Sequence, residues 1–359
     1  MTKFIPNGEK IIAKLIEKAK KKGETNVTVT GNYLINDTII IPSNTTLILS
    51  DCHLKQADNT FCNMFRNVNC YAPSPRKKAD ADENIKIIGV GKAILDGGNY
   101  NGLNERNSGK DGKPHIFNNN ILLFANVDGF EVRGLKVINQ RHWAFNFTYC
   151  RYGRIIDIDF CADYTRLDEN GNRIKGLDRE KYGYTYIKNA DGIDLRVGCH
   201  DIIIQNITGF TEDDTIALTA LPTEYVKQTY GVEDESIDIY NVVIRDVVSA
   251  AFCTNVRLLN QGGASIHNIL IDNVQDTSVD KKYYVGRGVA GVRIGDLKMY
   301  GERHSTKDET YNIVIKNVFS RAECAVSLVG EMSNVVCENV NKFDGCPVLI
   351  DDKDAKIYN

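Results

Sequence analysis

One short phrase, [N/D/G]-x-x-[I/V], recurs along most of the chain and limits its fold more than any other feature. It opens at Asn84, Gly129, Gly153, Asp201, Asn241, Asn268, Asn312 and, with Cys337 in the last place, Asn334, with successive gaps of 45, 24, 48, 40, 27, 44 and 22 residues. The short gaps define a unit, and the long ones are that unit with a loop inserted. Each unit is apolar and β-branched, so it reads as strand and turn without helix. Units of this size cannot bury an apolar face alone and must stack into a solenoid.

A second column advances in step with the first. Its apolar–variable–apolar triplets start at Phe145, Ile193, Ile216, Val256, Val292, Val326 and Val348. In a strand the flanking residues point inward and the middle one outward. This predicts an outward file of Asn146, Asp194, Ala217, Arg257, Arg293 and Ser327. Two tracks moving together predict an all-β fold, a right-handed single-stranded parallel β-helix (a pectate-lyase-like solenoid). The hand follows the general crossover preference. Residues 7–22 carry Ile11, Ile12, Leu15, Ile16 and Ala19 at helical spacing ahead of Gly23. An N-terminal α-helix within residues 1–24 is therefore expected to cap the first edge of the coils at 25–359. The 359 residues then form a single β-helix domain, since repeat architectures run long as one unit.

A net charge of −3 leaves no electrostatic footprint for nucleic acid. No run is long and apolar enough to span a membrane. The first residues show no apolar stretch followed by a cleavage site, and the ten cysteines form no C-x-x-C pair. Buried free thiols and a cytoplasmic location are expected. His53, His115, His200, His267 and His304 show no metal-like spacing, so they are assigned no role, and no metal or other cofactor is expected. Oligomeric state is not legible.

The chemistry concentrates where one phrase is written twice. Residues 191–195 (DGIDL) are answered by residues 214–218 (DTIAL), an offset of 23 counted from Ile193 to Ile216. On stacked coils about 4.8 Å apart, Asp191, Asp213 and Asp214 crowd one patch. Carboxylates that close cannot all ionise freely, and at least one pKa rises. Such a patch holds an acid and a base side by side near neutral pH. Alternation alone sends Asp191 and Asp214 inward with Ile193 and Ile216, so a bend at Gly192 and at Thr215 is required. Loops at 163–188, 221–236 and 275–287 carry Tyr164, Tyr182, Tyr184, Tyr186, Tyr225, Tyr230, Tyr283 and Tyr284. They are expected either to line a sugar groove or to cover the coil.

From residue 84 to 295 the chain resembles the polygalacturonase family, family 28 of the glycoside hydrolases. Residues 89–98 (GVGKAILDGG) resemble its G-x-G-x-I-D-G-x-G segment, and Lys113-Pro114 with residues 121–124 (ILLF) its R-P-x-x-I-x-F stretch. His142-Trp143 falls where a tryptophan commonly precedes the catalytic rungs. Residues 189–194 (NADGID) match N-T-D-G-I-D with one change, Asp213-Asp214 matches the paired aspartates, and Val292-Arg293-Ile294 matches the start of R-I-K.

The resemblance implies a β-helix that cleaves oligosaccharides or polysaccharides of pectin type without a cofactor. Asp213 would be the general acid, and Asp191 and Asp214 would hold and deprotonate the attacking water, giving inversion. Asn189, Asp194, Arg257, Arg293, His142 and Trp143 are the expected substrate contacts. Two departures stand out: Thr254 replaces the family's histidine and Gly295 the lysine of R-I-K. In galacturonan enzymes the arginine and lysine help bind the uronate carboxylate. A β-helix lyase or epimerase, or a decayed carbohydrate-binding β-helix, are the alternatives.

Overall fold

Among the described residues every ladder in the computed structural model is parallel, and twenty strands join into one continuous sheet wound as a β-helix. The structure describes residues 3–58, 60–98, 115–140, 142–162, 190–260, 263–278, 287–296, 305–343 and 346–359. The first-column units stack directly: Ile202 pairs with Val242, Val242 with Ile269, and Ile269 with Ile313. Their inward residues, such as Ile204, Ile244, Ile271 and Ile315, are fully buried and form the axial core. The helix α1 (Gly8–Lys21) packs Ile12, Ile16 and Ala19 over the first coil and stops before Gly23 at φ 72°, as the periodicity predicts.

Asparagine explains why the phrase begins as it does. Asn241, Asn268, Asn312 and Asn334 all take left-handed backbone angles, with φ between 49° and 56°. Asn tolerates that region at a turn better than most residues. Its amide both donates and accepts, so it can stack on itself. Asn241 Nδ2 donates to Asp201 Oδ1 at 3.1 Å, Asn268 to Asn241 at 3.2 Å, Asn312 to Asn268 at 3.1 Å and Asn334 to Asn312 at 2.6 Å. A second left-handed file at Asp157, Asn206, Asp246, Asn273, Asn317 and Asn339 bends each coil again. Sequence reading did not separate that file.

Two register assignments differ from expectation. Gly153 pairs with Phe130 and Ile202, so Tyr152, at φ 53°, and not Gly153 occupies the turn position. Gly153 is needed one residue later, where a Cβ would meet the Phe130 ring at 2.0 Å. In the last coil Val348 pairs with Cys324, and Ile350 takes the place opposite Val326. A two-residue slip keeps the same face inward, so alternation cannot detect it. Segment 221–236 also contains a short helix, α2 (Glu224–Tyr230), capped by Thr223 Oγ1, which accepts from Val226 N–H at 3.3 Å.

Candidate active site

The strands Ile193–Leu195 and Ile216–Ala220 lie side by side in the expected register, with Asp194 opposite Ala217. The chain bends at Gly192 and Thr215, and these bends release Asp191 and Asp214 from the inward face. Gly192 N–H donates to Asp214 O and Ile193 N–H to Thr215 O, both at 3.0 Å. A Cβ on Gly192 would sit 2.4 Å from Thr215 O, so glycine is what permits this approach. Beneath the second bend, Thr211 Oγ1 donates to Asp213 O at 3.1 Å. The Thr211, Thr215 and Ser249 hydroxyls form a chain at 3.2 and 3.0 Å, closed by Asn255 Nδ2 on Ser249 Oγ at 2.8 Å. This buried relay fixes the turn that presents Asp213 and Asp214.

Asp191, Asp194, Asp213 and Asp214 line one cavity of about 360 Å³, together with Arg196 and Arg257. Asp213 and Asp214 each bring an oxygen, and Cys253 its Sγ, to within 4.8 Å of one another. Burial pushes the Asp191 carboxyl well above the ordinary range, and Asp194, Asp213 and Asp214 raise it further against Arg196. Asp194 is likewise held high by burial, with Arg196 opposing. Burial raises Asp214 as well, but Arg257 and the Thr254 hydrogen bonds pull it back. The Cys253 thiol is pushed up by burial and by the neighbouring aspartates, so it stays protonated. Buried carboxyls that share their charge in this way can keep a proton near neutral pH.

An aromatic wall closes one side of the cavity. Arg196 lies over Trp143 at 4.3 Å and over Phe117 at 5.6 Å, and the two rings meet edge-on at 5.2 Å. His115, which the sequence left without a role, lines the cavity and stacks on Tyr225 at 3.8 Å. Behind them Tyr230 is fully buried against Phe117. The buried Arg76 donates to Cys70 O and Thr229 O at 2.8 and 2.9 Å, tying α2 to the body of the coil. Tyr230 thus serves the wall and not the groove. No local pattern marks Phe117, Arg196 or His115, because their meeting depends on coils far apart in sequence.

Asp191, Asp213, Asp214, Asp194, Arg257 and Trp143 are thus brought to one cavity. His142, at φ 50°, is fully buried and is not among the lining residues. Arg293 stands behind Arg257 in register and is likewise outside the lining. Asn189, Tyr164, Tyr182, Tyr184, Tyr186, Tyr283, Tyr284, Lys113-Pro114 and His304 lie outside the described residues.

Residues 31–222 match the glycosyl hydrolases family 28. The chain belongs to that family. It is accordingly a glycoside hydrolase, and its acids sit on coils of the kind the family is built from. No curated sequence matches it at a significant level. An exopolygalacturonase from Thermotoga maritima superposes with a TM-score of 0.55 at 12% identity, over 95% of this chain and 87% of the other. A double mutant of the tailspike protein of E. coli bacteriophage HK620, in complex with a pentasaccharide, superposes at 0.60 and 12% identity, over 98% of this chain and 61% of the tailspike. At such identity these likenesses show the β-helix fold alone.

Within the family 28 frame the two departures acquire physical reasons. Thr254, in place of histidine, is 1% exposed and turned onto Asp214, to which its N–H and hydroxyl both donate. Gly295, in place of lysine, has φ 81°, and a Cβ there would lie 1.9 Å from Val329 O. A lysine at that position would require the backbone to move. The following residue, Asp296, was missed by sequence reading. It is buried, forms a close ion pair with Arg257 Nη2, and stands 3.7 Å from Arg293 Nη2.

Proposed function

We propose that this protein hydrolyses a glycosidic bond of a pectin-type or related oligosaccharide with inversion at the anomeric carbon. Asp213, the most exposed of the four cavity aspartates, gives its proton to the glycosidic oxygen as the bond from that oxygen to the anomeric carbon breaks. Water attacks the same carbon from the opposite face, and its proton passes to the Asp191–Asp214 pair. Asp213 and Asp214 approach too closely to admit a water between those two alone, since inversion needs acid and base roughly 6.5–9.5 Å apart. Asp191, one coil earlier, therefore shares the base role with Asp214, whose ionised form Arg257 and the Thr254 hydrogen bonds favour. A cavity walled on one side by Phe117 and Trp143 favours action near a chain end of short oligosaccharides. Ten free cysteines favour a reducing, cytoplasmic setting.

The observation that carries the reading is the convergence of Asp191, Asp213 and Asp214, from adjacent coils, on one cavity. The test is a screen of uronic and neutral oligosaccharides with the unaltered protein and Asp213→Asn. The variant is expected to keep binding and to lose about 10²–10⁴-fold in kcat. Tight sugar binding without turnover by the unaltered protein would instead identify a carbohydrate-binding β-helix. An unsaturated product absorbing in the ultraviolet would identify a lyase.

A further inference from the structure

We propose that the cavity seats a neutral sugar, and that Asp296 sets this preference by occupying Arg257, a cavity arginine that a sugar carboxylate would otherwise engage, together with Arg293 behind it. This deepens the glycosidase reading and rests on it. Among the described residues, four aspartates and two arginines line the cavity. Arg257 is 7% exposed; its Nη2 is held by Asp296 Oδ2, and its Nη1 stands 3.9 Å from Asp214 Oδ2. Arg293 turns Nη2 toward the other oxygen of the same carboxylate, Asp296 Oδ1, at 3.7 Å. Arg196 faces Asp194 Oδ1 at 3.7 Å while its guanidinium covers Trp143. Each of these three guanidinium groups therefore already stands beside a buried carboxyl group.

A uronate entering this cavity would add a negative charge where Arg257 already faces the carboxyl groups of both Asp296 and Asp214. In a site of reduced dielectric that repulsion is weakly screened. To be paired, the uronate would have to draw an arginine from a buried partner, which leaves that partner's charge uncompensated. A neutral sugar meets neither cost. Its hydroxyls accept from guanidinium groups and donate to carboxylates, so the paired arginines and aspartates remain usable as they stand. The backbone supports the arrangement. The left-handed turn at Gly295, pressed against Val329 O, excludes a side chain there and delivers Asp296, 2% exposed, onto both arginines.

The test compares oligogalacturonides with the same oligosaccharides after chemical reduction of their carboxyl groups to alcohols, so that only the charge in question changes. Hydrolysis is followed for the unaltered protein and Asp296→Asn, and binding to Asp213→Asn by calorimetry. The carboxyl-reduced form is expected to be preferred by at least about tenfold in kcat/KM, mainly through KM, and Asp296→Asn to shift the ratio toward the uronate by about tenfold. Equal or better use of the uronate by the unaltered protein overturns the proposal and leaves the glycosidase reading intact, whether or not the variant folds. A preference unchanged in a folded Asp296→Asn overturns the role given to Asp296. Binding of the neutral form with hydrolysis of neither sinks the glycosidase reading but not the preference, and binding of neither form sinks both.

Discussion

Thr254 grips Asp214 through a single oxygen: its backbone N–H, at 2.9 Å, and its hydroxyl both donate to Oδ1. The other oxygen looks toward Arg257 Nη1 at 3.9 Å. Both contacts favour the ionised carboxylate against the burial that raises it. Thr254→Val keeps the N–H and removes the hydroxyl. Asp214 then holds its proton to higher pH, so the acidic limb of the kcat/KM profile should move upward, with about a tenfold loss in kcat. Thr254→Ser should restore both. A pH–rate profile unmoved by Thr254→Val would show the hydroxyl to be structural only.

The closeness of Asp213 and Asp214, with oxygens within 4.8 Å, makes the stereochemical outcome informative. Proton NMR of the first product formed should show the anomer opposite to that of the substrate. Retention would mean that one aspartate attacks the sugar directly, as expected for carboxyls only about 5 Å apart.

Asp194 lies at the cavity floor with 1% of its surface exposed. Its carboxyl is held well above the ordinary value of 3.8 by burial, only partly offset by Arg196. Between the ordinary and the raised value the folded chain retains a proton that the unfolded chain has released. Stability is therefore fullest at low pH and declines as pH rises through that window. Asp194→Asn should flatten the fall of Tm with pH above about pH 4, while weakening sugar binding. An unchanged slope in thermal melts would show that Asp194 does not hold the extra proton.

Gly192 permits a close crossing of two coils, with room for no Cβ beside Thr215 O. Gly192→Ala should destabilise the fold by about 1–3 kcal/mol and lower kcat, because the displaced bend carries Asp191. Denaturant unfolding and activity measured on the same preparation check both. Full stability with wild-type turnover would show that the bend is not what orients Asp191.

The coils were legible because their signal is local and repeated. Asn241, Asn268, Asn312 and Asn334 each state the same turn, and the triplets from Ile193 to Val326 each state the same inward face. Errors arose where the signal was degenerate. Tyr152 replaced an expected glycine at a left-handed turn, and the last coil slipped by two residues without changing face. At the site, the doubled phrase marked Asp191 and Asp214, with Asp213 just before the second copy, and the outward file marked Asp194 and Arg257. His142, a further candidate, is fully buried and does not line the cavity.

The sequence by itself determined a stacked parallel β architecture and the rungs on which its acids lie, because strand alternation and repeat period depend only on residue order. Only the tertiary structure decided which way those acids point, through bends at Gly192 and Thr215 held by contacts between coils. It also decided the company they keep. Asp296 on the arginines, Thr254 on Asp214, and Phe117 with Arg196 on Trp143 are pairs separated by 26 to 79 residues, or by a single left-handed turn in the case of Asp296 and Arg293. No sequence period encodes such meetings; they follow from where each loop leaves and rejoins the coil.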